Sequence, residues 1–376
     1  MRSETSPPAR PRAVRPPRPG PPGAGGRGRV TAPGCVRVGR PHPADRAAWD
    51  EFVLAHPEGT LFHLWPWGEA IATALGHHTP YLLAERAGRI VGVLPLVAVE
   101  GLLFGRALIS TGFTVGGGPL ARDAEVARAL VEAAENRCRE GRFGRLELRC
   151  PPPDRPGWLP ITGKQLFFRR ELDPDPEVNF RGLRGNQRTM IRKGRSLGLA
   201  VAIDADCRRF FPVYADSVHR LGTPVLPFAW FATLQRLFSE RCEVMIVLQG
   251  ARPIAGVLSF FFRDSVLPYY AGSVEAARKL AAHDFMYDAL MRRAVERGCR
   301  IFDFGRSRVG SGHADFKRHW GCEATPVVYA HWSPEGRPPP DLDPRSEGNR
   351  RLVNLWKRLP RWLANRLGPW AARQIG

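Results

Sequence analysis

The pattern of apolar and polar positions occurs twice along the chain in the same order. Residues 81–96, YLLAERAGRIVGVLPL, alternate on both sides of a polar turn and predict a pair of strands. Residues 245–260, MIVLQGARPIAGVLSF, repeat this layout in the second half. In each half a further strand, an amphipathic helix that ends at glycine and another strand follow. An internal duplication is the simplest explanation of this repetition.

The helices that alternate with these strands have recognisable ends. Residues 124–141 place apolar side chains three and four positions apart and stop at Gly141, and residues 283–299 close at Gly298 in the same way. The strands before each helix form an antiparallel meander. The pattern therefore predicts an α+β fold of two tandem domains, each with a mixed, centrally antiparallel sheet flanked by helices.

Composition divides the chain into four parts. Residues 1–38 are rich in proline, arginine and glycine and almost lack large apolar side chains, so we expect a disordered basic tail. The two domains are assigned to residues 39–175 and 176–335, and residues 336–376 to a linker and a basic amphipathic helix. A chain of 376 residues, of which 43% are hydrophobic, is long enough for two domains.

The positive charge lies mainly at the two ends of the chain. Residues 1–40 carry a net charge of +8 and residues 345–376 carry +7, which leaves +5 of the total +20 for the region between them. A folded region with so little net charge does not predict binding to DNA. The basic ends, in contrast, are suited to anionic surfaces.

Neither the cysteines nor the apolar segments predict export or a membrane span. The seven cysteines are scattered, without a Cys-x-x-Cys pair or a zinc-like Cys/His spacing, which favours reduced thiols and no metal site. No apolar run approaches the ~18–20 residues of a transmembrane helix. We therefore expect a cytoplasmic protein; an alternative is a peripheral protein on the inner face of the cytoplasmic membrane.

The order of strands and helices resembles the GNAT type of acyltransferase domain, and two tandem copies resemble the FemAB-like family over residues 40–335. The most specific segments are FRGLRGNQRTMIRKGRSLGLAV at 180–201 and FDFGRSRVGSGHADFKRHWGC at 302–322. Both are similar to members associated with exopolysaccharide and PEP-CTERM (exosortase) systems. The chain lacks the coiled-coil arm that peptidoglycan FemAB proteins use in handling aminoacyl-tRNA.

The resemblance implies an enzyme that transfers an acyl or aminoacyl group to an amine or hydroxyl of a cell-envelope glycan or exopolysaccharide precursor. Its partners would be a glycan or lipid-linked precursor and a donor co-substrate, either acyl-CoA or aminoacyl-tRNA, with no bound cofactor. One alternative is a peptidoglycan aminoacyl-tRNA-dependent transferase. Another is a non-catalytic adaptor that binds a glycan or lipid carrier at the membrane surface.

Residues 302–304 begin the segment that is expected to carry the chemistry. Asp303 alternates with Phe302 and Phe304, so its carboxylate should face away from the core that the two rings fill. In a cleft, this carboxylate could orient or deprotonate the attacking amine or hydroxyl. An ion pair with a basic neighbour is an equally open interpretation.

The residues after this strand are expected to bind substrate. Arg306 and Ser307 lie at its end, and Gly310 and Gly312 would let the backbone come close to a ligand. His313 is assigned to substrate binding, with proton relay as a further role. No phosphate-binding helix is predicted after the glycines.

The pair Phe316–Lys317 is the part of this segment on which the resemblance is sharpest. FemAB-like proteins carry an aromatic–lysine pair here, and it is associated with the transfer site. The resemblance implies that Phe316 binds substrate and that Lys317 stabilises the charge of the tetrahedral intermediate or holds a donor phosphate. An exposed lysine after a loop is the alternative.

The second meander supplies a candidate general acid, Tyr270, because GNAT enzymes can use a tyrosine in this role. Strand alternation would place Tyr269 on the opposite face. The following segment, ARKLAAHDFMYDAL, lacks the glycines of the loop that usually binds the pyrophosphate of acyl-CoA. The choice between acyl-CoA and aminoacyl-tRNA therefore stays open.

A cluster of basic residues lies at 181–195, where arginines recur every three or four positions. On one helix they would form a continuous stripe with no acid within it. Because arginine suits phosphates and carboxylates, the stripe predicts an anion site, with a solvated helix face as the alternative. The residues assigned to this site are Arg184, Arg188, Arg192 and Lys193.

Residues 352–370 intersperse leucines and tryptophans with arginine and lysine at helical spacing. A basic amphipathic helix with tryptophans is typical of an element that lies on an anionic membrane surface. Docking on the surface of the protein itself is the alternative. Pro360 should kink the helix in either case.

Overall fold

The computed structural model describes residues 35–101, 105–340 and 346–374. Most of the tail predicted at 1–38 lies outside these ranges. The predicted fold class is confirmed, since two mixed α+β halves follow one another with helices packed on their sheets. The bounds of the elements are as follows.

The first half contains twelve strands and helices in the described residues. In chain order these are β1 (Arg37–Gly39), α1 (Arg46–Ala55), α2 (Trp65–Ala70), β2 (Leu82–Arg86), β3 (Arg89–Leu94), β4 (Leu96–Gly101), β5 (Gly105–Ser110), β6 (Leu120–Ala121), α3 (Ala124–Glu140), β7 (Arg145–Leu148), β8 (Leu159–Ile161) and β9 (Gln165–Glu171). The helix predicted at 124–141 and the strand pair predicted at 81–96 are thus confirmed.

The second half and the C-terminal segment continue this order. Their elements are α4 (Pro176–Arg181), α5 (Gly185–Ser196), β10 (Leu199–Asp204), α6 (Phe210–Leu221), α7 (Phe228–Phe238), β11 (Cys242–Gln249), β12 (Arg252–Phe262), β13 (Ser265–Ser273), α8 (Ala282–Glu296), β14 (Ile301–Arg308), α9 (Gly312–His319), β15 (Glu323–Pro326), β16 (Tyr329–Trp332), α10 (Glu347–Arg358) and α11 (Arg361–Arg373). The sequence predicted a kink at Pro360, and the structure has a full break there: α10 ends before Pro360 and α11 begins after it.

The strands form three sheets. A four-stranded sheet has the order β1-β2-β3-β6, and a five-stranded sheet has the order β4-β5-β7-β16-β8. The second half forms a seven-stranded sheet with the order β10-β11-β12-β13-β14-β9-β15. Pro95 lies between β3 and β4, where the first half passes from one sheet to the next.

The two halves exchange one strand each. β9 comes before the boundary predicted at 175/176, yet it pairs with β14 and β15 of the second half. β16 comes from the second half and pairs with β7 and β8 of the first. The boundary predicted at 175/176 therefore does not separate the sheets. The seven-stranded sheet contains a strand from before the boundary, and the five-stranded sheet contains a strand from after it.

The halves also share one hydrophobic core. Trp67 of α2 is fully buried, and its ring lies 5.4 Å from that of Trp230 on α7. It also packs edge to face against Phe260 of β12, and its Nε1 donates to the carbonyl of Gly112 at 3.0 Å. Since these residues come from both halves, we expect the halves to unfold together.

Candidate active site

β13 and β14 run parallel but pair only at their first residues. Backbone pairing joins Ser265 to Ile301 and Val266 to Phe302, and the pairing stops beyond Val266. β12 on one side and β9 on the other hold the two strands in the sheet. The lost pairing leaves a gap in the middle of the seven-stranded sheet.

A cleft of about 930 Å³ occupies this gap and extends to the first half. Its walls include β13, β14 and the start of α9, together with two first-half segments, residues 57–62 and residues 113, 115 and 116. The lining contains five cationic side chains and three carboxylates, so its formal charge is positive. They are Arg169, Arg263, Arg306, Arg308 and Lys317, and Glu58, Asp264 and Asp303.

Asp303 lies on the cleft side of β14, as alternation with the buried Phe302 predicts; Phe304 packs in the core but also lines the cleft. One carboxylate oxygen accepts the backbone N–H of Gly305 at 2.8 Å, and the other accepts Nε–H of Arg169 at 3.2 Å. Burial raises the pKa of Asp303, and the charge of Arg169 opposes that shift. Asp303 therefore both lines the cleft and forms an ion pair.

A bulge interrupts β14 directly after Asp303. Asp303 pairs with Arg169 and Gly305 pairs with Phe168, so Phe304 is an extra residue with no partner in the register. Gly305 has a φ of 63°, in the left-handed region that favours glycine. The bulge turns three successive carbonyl groups, those of residues 304–306, toward α9.

Lys317 of α9 binds these carbonyl groups. Its Nζ donates to the oxygens of Phe304, Gly305 and Arg306 at 2.6, 3.3 and 2.9 Å. Burial lowers the pKa of Lys317 to about 8, so the ammonium form predominates at pH 7. Lys317 is thus a partly buried cation at the bulge beside Asp303, and not an exposed lysine after a loop.

Arg306 is held at the cleft by residues from both halves. Its Nη1 donates to the hydroxyl of Tyr329 at 2.9 Å, and this hydroxyl donates to the carbonyl of Val115. Tyr329 lies on the exchanged strand β16, and Val115 lies in a first-half loop. These hydrogen bonds hold the guanidinium of Arg306, a residue that the sequence analysis assigned to substrate binding, at the cleft.

Three further predicted residues lie in or beside the cleft. Ser307 and His313 line it, and partial burial together with the charge of Lys317 lowers the pKa of His313. Phe316 lies behind the wall, where its ring is 5.7 Å from the ring of Tyr287, a lining residue. The binding roles assigned to these side chains stay predictions.

Of the two tyrosines on β13, Tyr269 lines the cleft and Tyr270 does not. β13 bulges where it pairs with Leu258 and Ser259, and the two tyrosine rings lie only 4.9 Å apart, so alternation fails here. The hydroxyl of Tyr270 accepts Nε1–H of Trp230 within the core. The prediction of Tyr270 as a general acid in the cleft is therefore corrected.

The basic residues assigned to an anion site lie outside this cleft. The predicted single helix is two helices, α4 and α5, and protein carboxylates pair with both ends of the stripe. Arg181 lies 3.5 Å from Asp175, and Arg195 lies 2.6 Å from Asp288. The four assigned residues are absent from the cleft lining, and their role stays a prediction. They are Arg184, Arg188, Arg192 and Lys193.

A helix does begin after the glycine-rich loop, contrary to expectation. α9 starts at Gly312, and the Oγ of Ser311 accepts the N–H of Ala314 at 3.2 Å as an N-cap. Gly310 turns the chain with a φ of 67°. The glycines thus end the strand and start the helix that carries His313 and Lys317 to the cleft.

The corresponding gap in the first half is closed. β5 and β7 are paired, and the loop that follows β5 binds the residue after β7. The N–H of Gly117 donates to the carbonyl of Arg149 at 2.9 Å, and the Oγ of Ser110 accepts the N–H of Arg149 at 2.8 Å. The candidate site is therefore a feature of the second half, completed by first-half loops.

Sequence reasoning missed several residues of this site, among them Arg169, Tyr269 and Tyr329. Nothing in the segment QLFFRRE, which forms β9, indicates that it joins the sheet of the other half. Pro268, directly before the two tyrosines, was a signal for irregular pairing in β13.

Comparisons with known proteins agree with this geometry. Residues 181–318 match the family model described as an acetyltransferase (GNAT) domain. The comparison with curated protein sequences found no match.

Three solved structures have a similar fold at low identity. FemX is 15% identical, with a TM-score of 0.61 over 86% of this chain and 100% of its own. The C-terminal domain of a protein named as a lysylphosphatidylglycerol synthetase from Agrobacterium fabrum is 12% identical, with a TM-score of 0.53 over 77% of this chain and 92% of its own. A tandem GNAT protein from the clavulanic acid biosynthesis pathway is 12% identical, with a TM-score of 0.50 over 81% and 99%.

The matched domain contains β13, β14, α9 and therefore most of the cleft. The chain consists of two tandem GNAT-like halves, and the GNAT domain in its second half makes it a transferase of the acyltransferase type.

Proposed function

We propose that the protein transfers an acyl or aminoacyl group to an amine or hydroxyl of a cell-envelope glycan precursor, as FemAB-like enzymes do. The observation that carries this proposal is the gap between β13 and β14, with Asp303, His313 and Lys317 at one wall. The resemblance of residues 180–201 and 302–322 to exopolysaccharide-associated proteins supports an exopolysaccharide precursor as acceptor.

In the proposed reaction, the donor carbonyl enters the gap beside the bulge of β14. The acceptor nitrogen or oxygen attacks this carbon, and the bond to the donor's sulfur or oxygen breaks. His313 takes the proton of the nucleophile, because its lowered pKa keeps the imidazole neutral near pH 7. The positive charge of Lys317 stabilises the oxyanion, and the departing thiolate or alkoxide takes the proton back from His313, which returns to its neutral form.

The positive lining of the cleft favours an anionic substrate. A phosphorylated or lipid-linked glycan would meet Arg306 and Arg308 at the cleft. For the donor, the neighbour named as a lysylphosphatidylglycerol synthetase supports an aminoacyl group. The absence of the glycine-rich loop before α8 argues against the usual binding of acyl-CoA in that segment.

A transfer assay tests this proposal. Purified protein is incubated with lipid-linked glycan acceptors and either a panel of acyl-CoA thioesters or charged tRNA, and the modified acceptor is detected by mass spectrometry. Transfer from charged tRNA to a peptidoglycan precursor would instead favour the aminoacyl-tRNA-dependent alternative. Binding of the glycan without turnover from any donor would contradict the proposal and favour an adaptor.

A matched pair of variants then tests the site. His313→Gln should lower kcat by about 100-fold with little change in KM, because proton acceptance is lost while the cleft keeps its shape. His319→Gln is the control, since His319 is exposed on the same helix and does not line the cleft. Equal activity of both variants would refute the role of His313.

A further inference from the structure

The C-terminal helices pack against the rest of the protein by one face. α10 and α11 lie on α6 and on the segment after it. The approach is close, because a Cβ built on Gly368 would lie 2.7 Å from the side chain of Val225. Arg361 pairs with Asp216 of α6 at 2.6 Å. Docking of the C-terminal helices on the protein surface, one of the two alternatives that the sequence analysis gave, is thus observed.

The opposite face of α11 is tryptophan-rich and exposed. The docked row consists of the buried small residues Ala364, Gly368 and Ala372, four positions apart. Trp362 and Trp370 lie two positions before two members of that row, which is about 200° around the helix. They are 69% and 54% exposed. Packing against the protein therefore accounts for the small residues and leaves the tryptophans without a protein contact of similar extent.

α10 extends this exposed apolar surface. Leu352 and Leu355 are exposed, the second to 61%, while Val353 is partly buried where it meets Gly222 after α6. The five exposed apolar side chains of the two helices are called the outer face below. They are Leu352, Leu355, Trp362, Leu367 and Trp370. Several large apolar side chains exposed on two consecutive helices indicate a contact with a partner or a membrane.

The charge around the outer face identifies the kind of partner. Residues 346–374 contain seven basic side chains and one acid, Glu347, which pairs with Arg351 at 3.0 Å. Arg366 lies between Trp362 and Trp370 in the same row of α11. Long basic side chains with tryptophans suit a bilayer surface, where the rings enter the headgroup region and the cations meet lipid phosphates.

We propose that the outer face binds an anionic bilayer, with α10 and α11 lying along its surface. No helix in the described ranges is both long and apolar enough to cross a membrane. Because the helices are already docked on α6, membrane binding does not require them to fold first. The proposal is independent of the transfer reaction, because the protein could transfer a group to a soluble acceptor whether or not it binds a membrane.

The test is sedimentation of the full chain with vesicles of phosphatidylcholine alone and of phosphatidylcholine mixed with phosphatidylglycerol. We expect binding to the mixed vesicles only, decreasing with salt. Trp362→Ser combined with Trp370→Ser should weaken it at least tenfold without lowering Tm, because both side chains are exposed. Leu159→Ser is the matched control: Leu159 is 44% exposed on β8, at the far edge of the five-stranded sheet from β4.

Three results would overturn the proposal. The first is equal binding of the native chain to both kinds of vesicle, or binding to neither. The second is undiminished binding of the tryptophan variant, which would assign the affinity to another basic region such as residues 1–34. The third is a dimer in sedimentation-velocity experiments that the tryptophan substitutions dissociate, with no vesicle binding, because the outer face would then join two copies.

Discussion

Lys317 should make transfer depend on pH through the loss of its charge. Burial lowers its pKa to about 8, so raising the pH through 8 removes the ammonium that faces the bulge. The charged fraction is about 90% at pH 7 and about 10% at pH 9 for a pKa of this value. If the charge stabilises the oxyanion, kcat should fall about tenfold per pH unit above pH 8.

Replacing Lys317 should affect stability much less than activity. In Lys317→Met, three carbonyl groups lose a donor, at a cost of about 1–3 kcal/mol in the free energy of unfolding. The variant also avoids the cost of burying a cation in the folded state. The lowering of the lysine pKa from 10.5 to about 8 corresponds to a cost of about 3 kcal/mol, so its removal should raise the free energy of unfolding by that amount. The two contributions nearly cancel, so we expect a net change within about 2 kcal/mol.

The assay is kcat against pH from 6 to 10 for the native protein, Lys317→Arg and Lys317→Met, with urea unfolding at pH 7. Lys317→Arg should move the alkaline decrease beyond pH 10, and Lys317→Met should be at least 100-fold slower at pH 7. Lys279→Met removes an exposed lysine before α8 and should match the native protein. A flat profile to pH 9.5 together with an active methionine variant would refute the reasoning.

Three further predictions concern the fold. Ala87 has a φ of 50° beside Gly88 in a tight hairpin turn, so Ala87→Asn should raise the free energy of unfolding by about 0.5–1 kcal/mol in urea titration; a decrease would contradict the turn assignment. Burial lowers the pKa of His63 to about 4, so the folded state resists protonation and His63 alone should account for about 3 kcal/mol of the stability lost between pH 6.5 and 4. In calorimetry, His63→Gln should reduce that loss by about 3 kcal/mol and leave the part due to other histidines whose pKa burial lowers, among them His283, to about 4, and His77. Trp67→Ala should cost about 3–5 kcal/mol and still unfold in one transition; two separate transitions would mean that the halves do not share a core.

Much of the fold could be predicted because the deciding information is local. The alternation at 81–96 and 245–260 and the glycine ends of α3 and α8 mark elements that the structure reproduces. Asp303 faces the cleft for the same reason, since Phe302 directly before it is buried in the core.

The remainder depends on pairing between distant segments. Arg169 and Asp303 are 134 residues apart, and nothing within β9 indicates that it leaves the sheet of its own half. The strand bulge at Tyr269 changed which tyrosine enters the cleft, because one extra residue cancels the alternation on which the prediction relied. The prediction of a single basic helix was wrong for a local reason, since Gly182 ends α4 and Arg184 lies just before the start of α5.

The most direct test of the central claim is a crystal structure with a non-transferable analogue of whichever donor supports turnover. The account predicts that the carbonyl of the analogue lies between β13 and β14, within contact distance of the bulge at Gly305 and beside His313. An analogue bound on the first half, or on the basic surface of α5 with the gap between β13 and β14 empty, would contradict it.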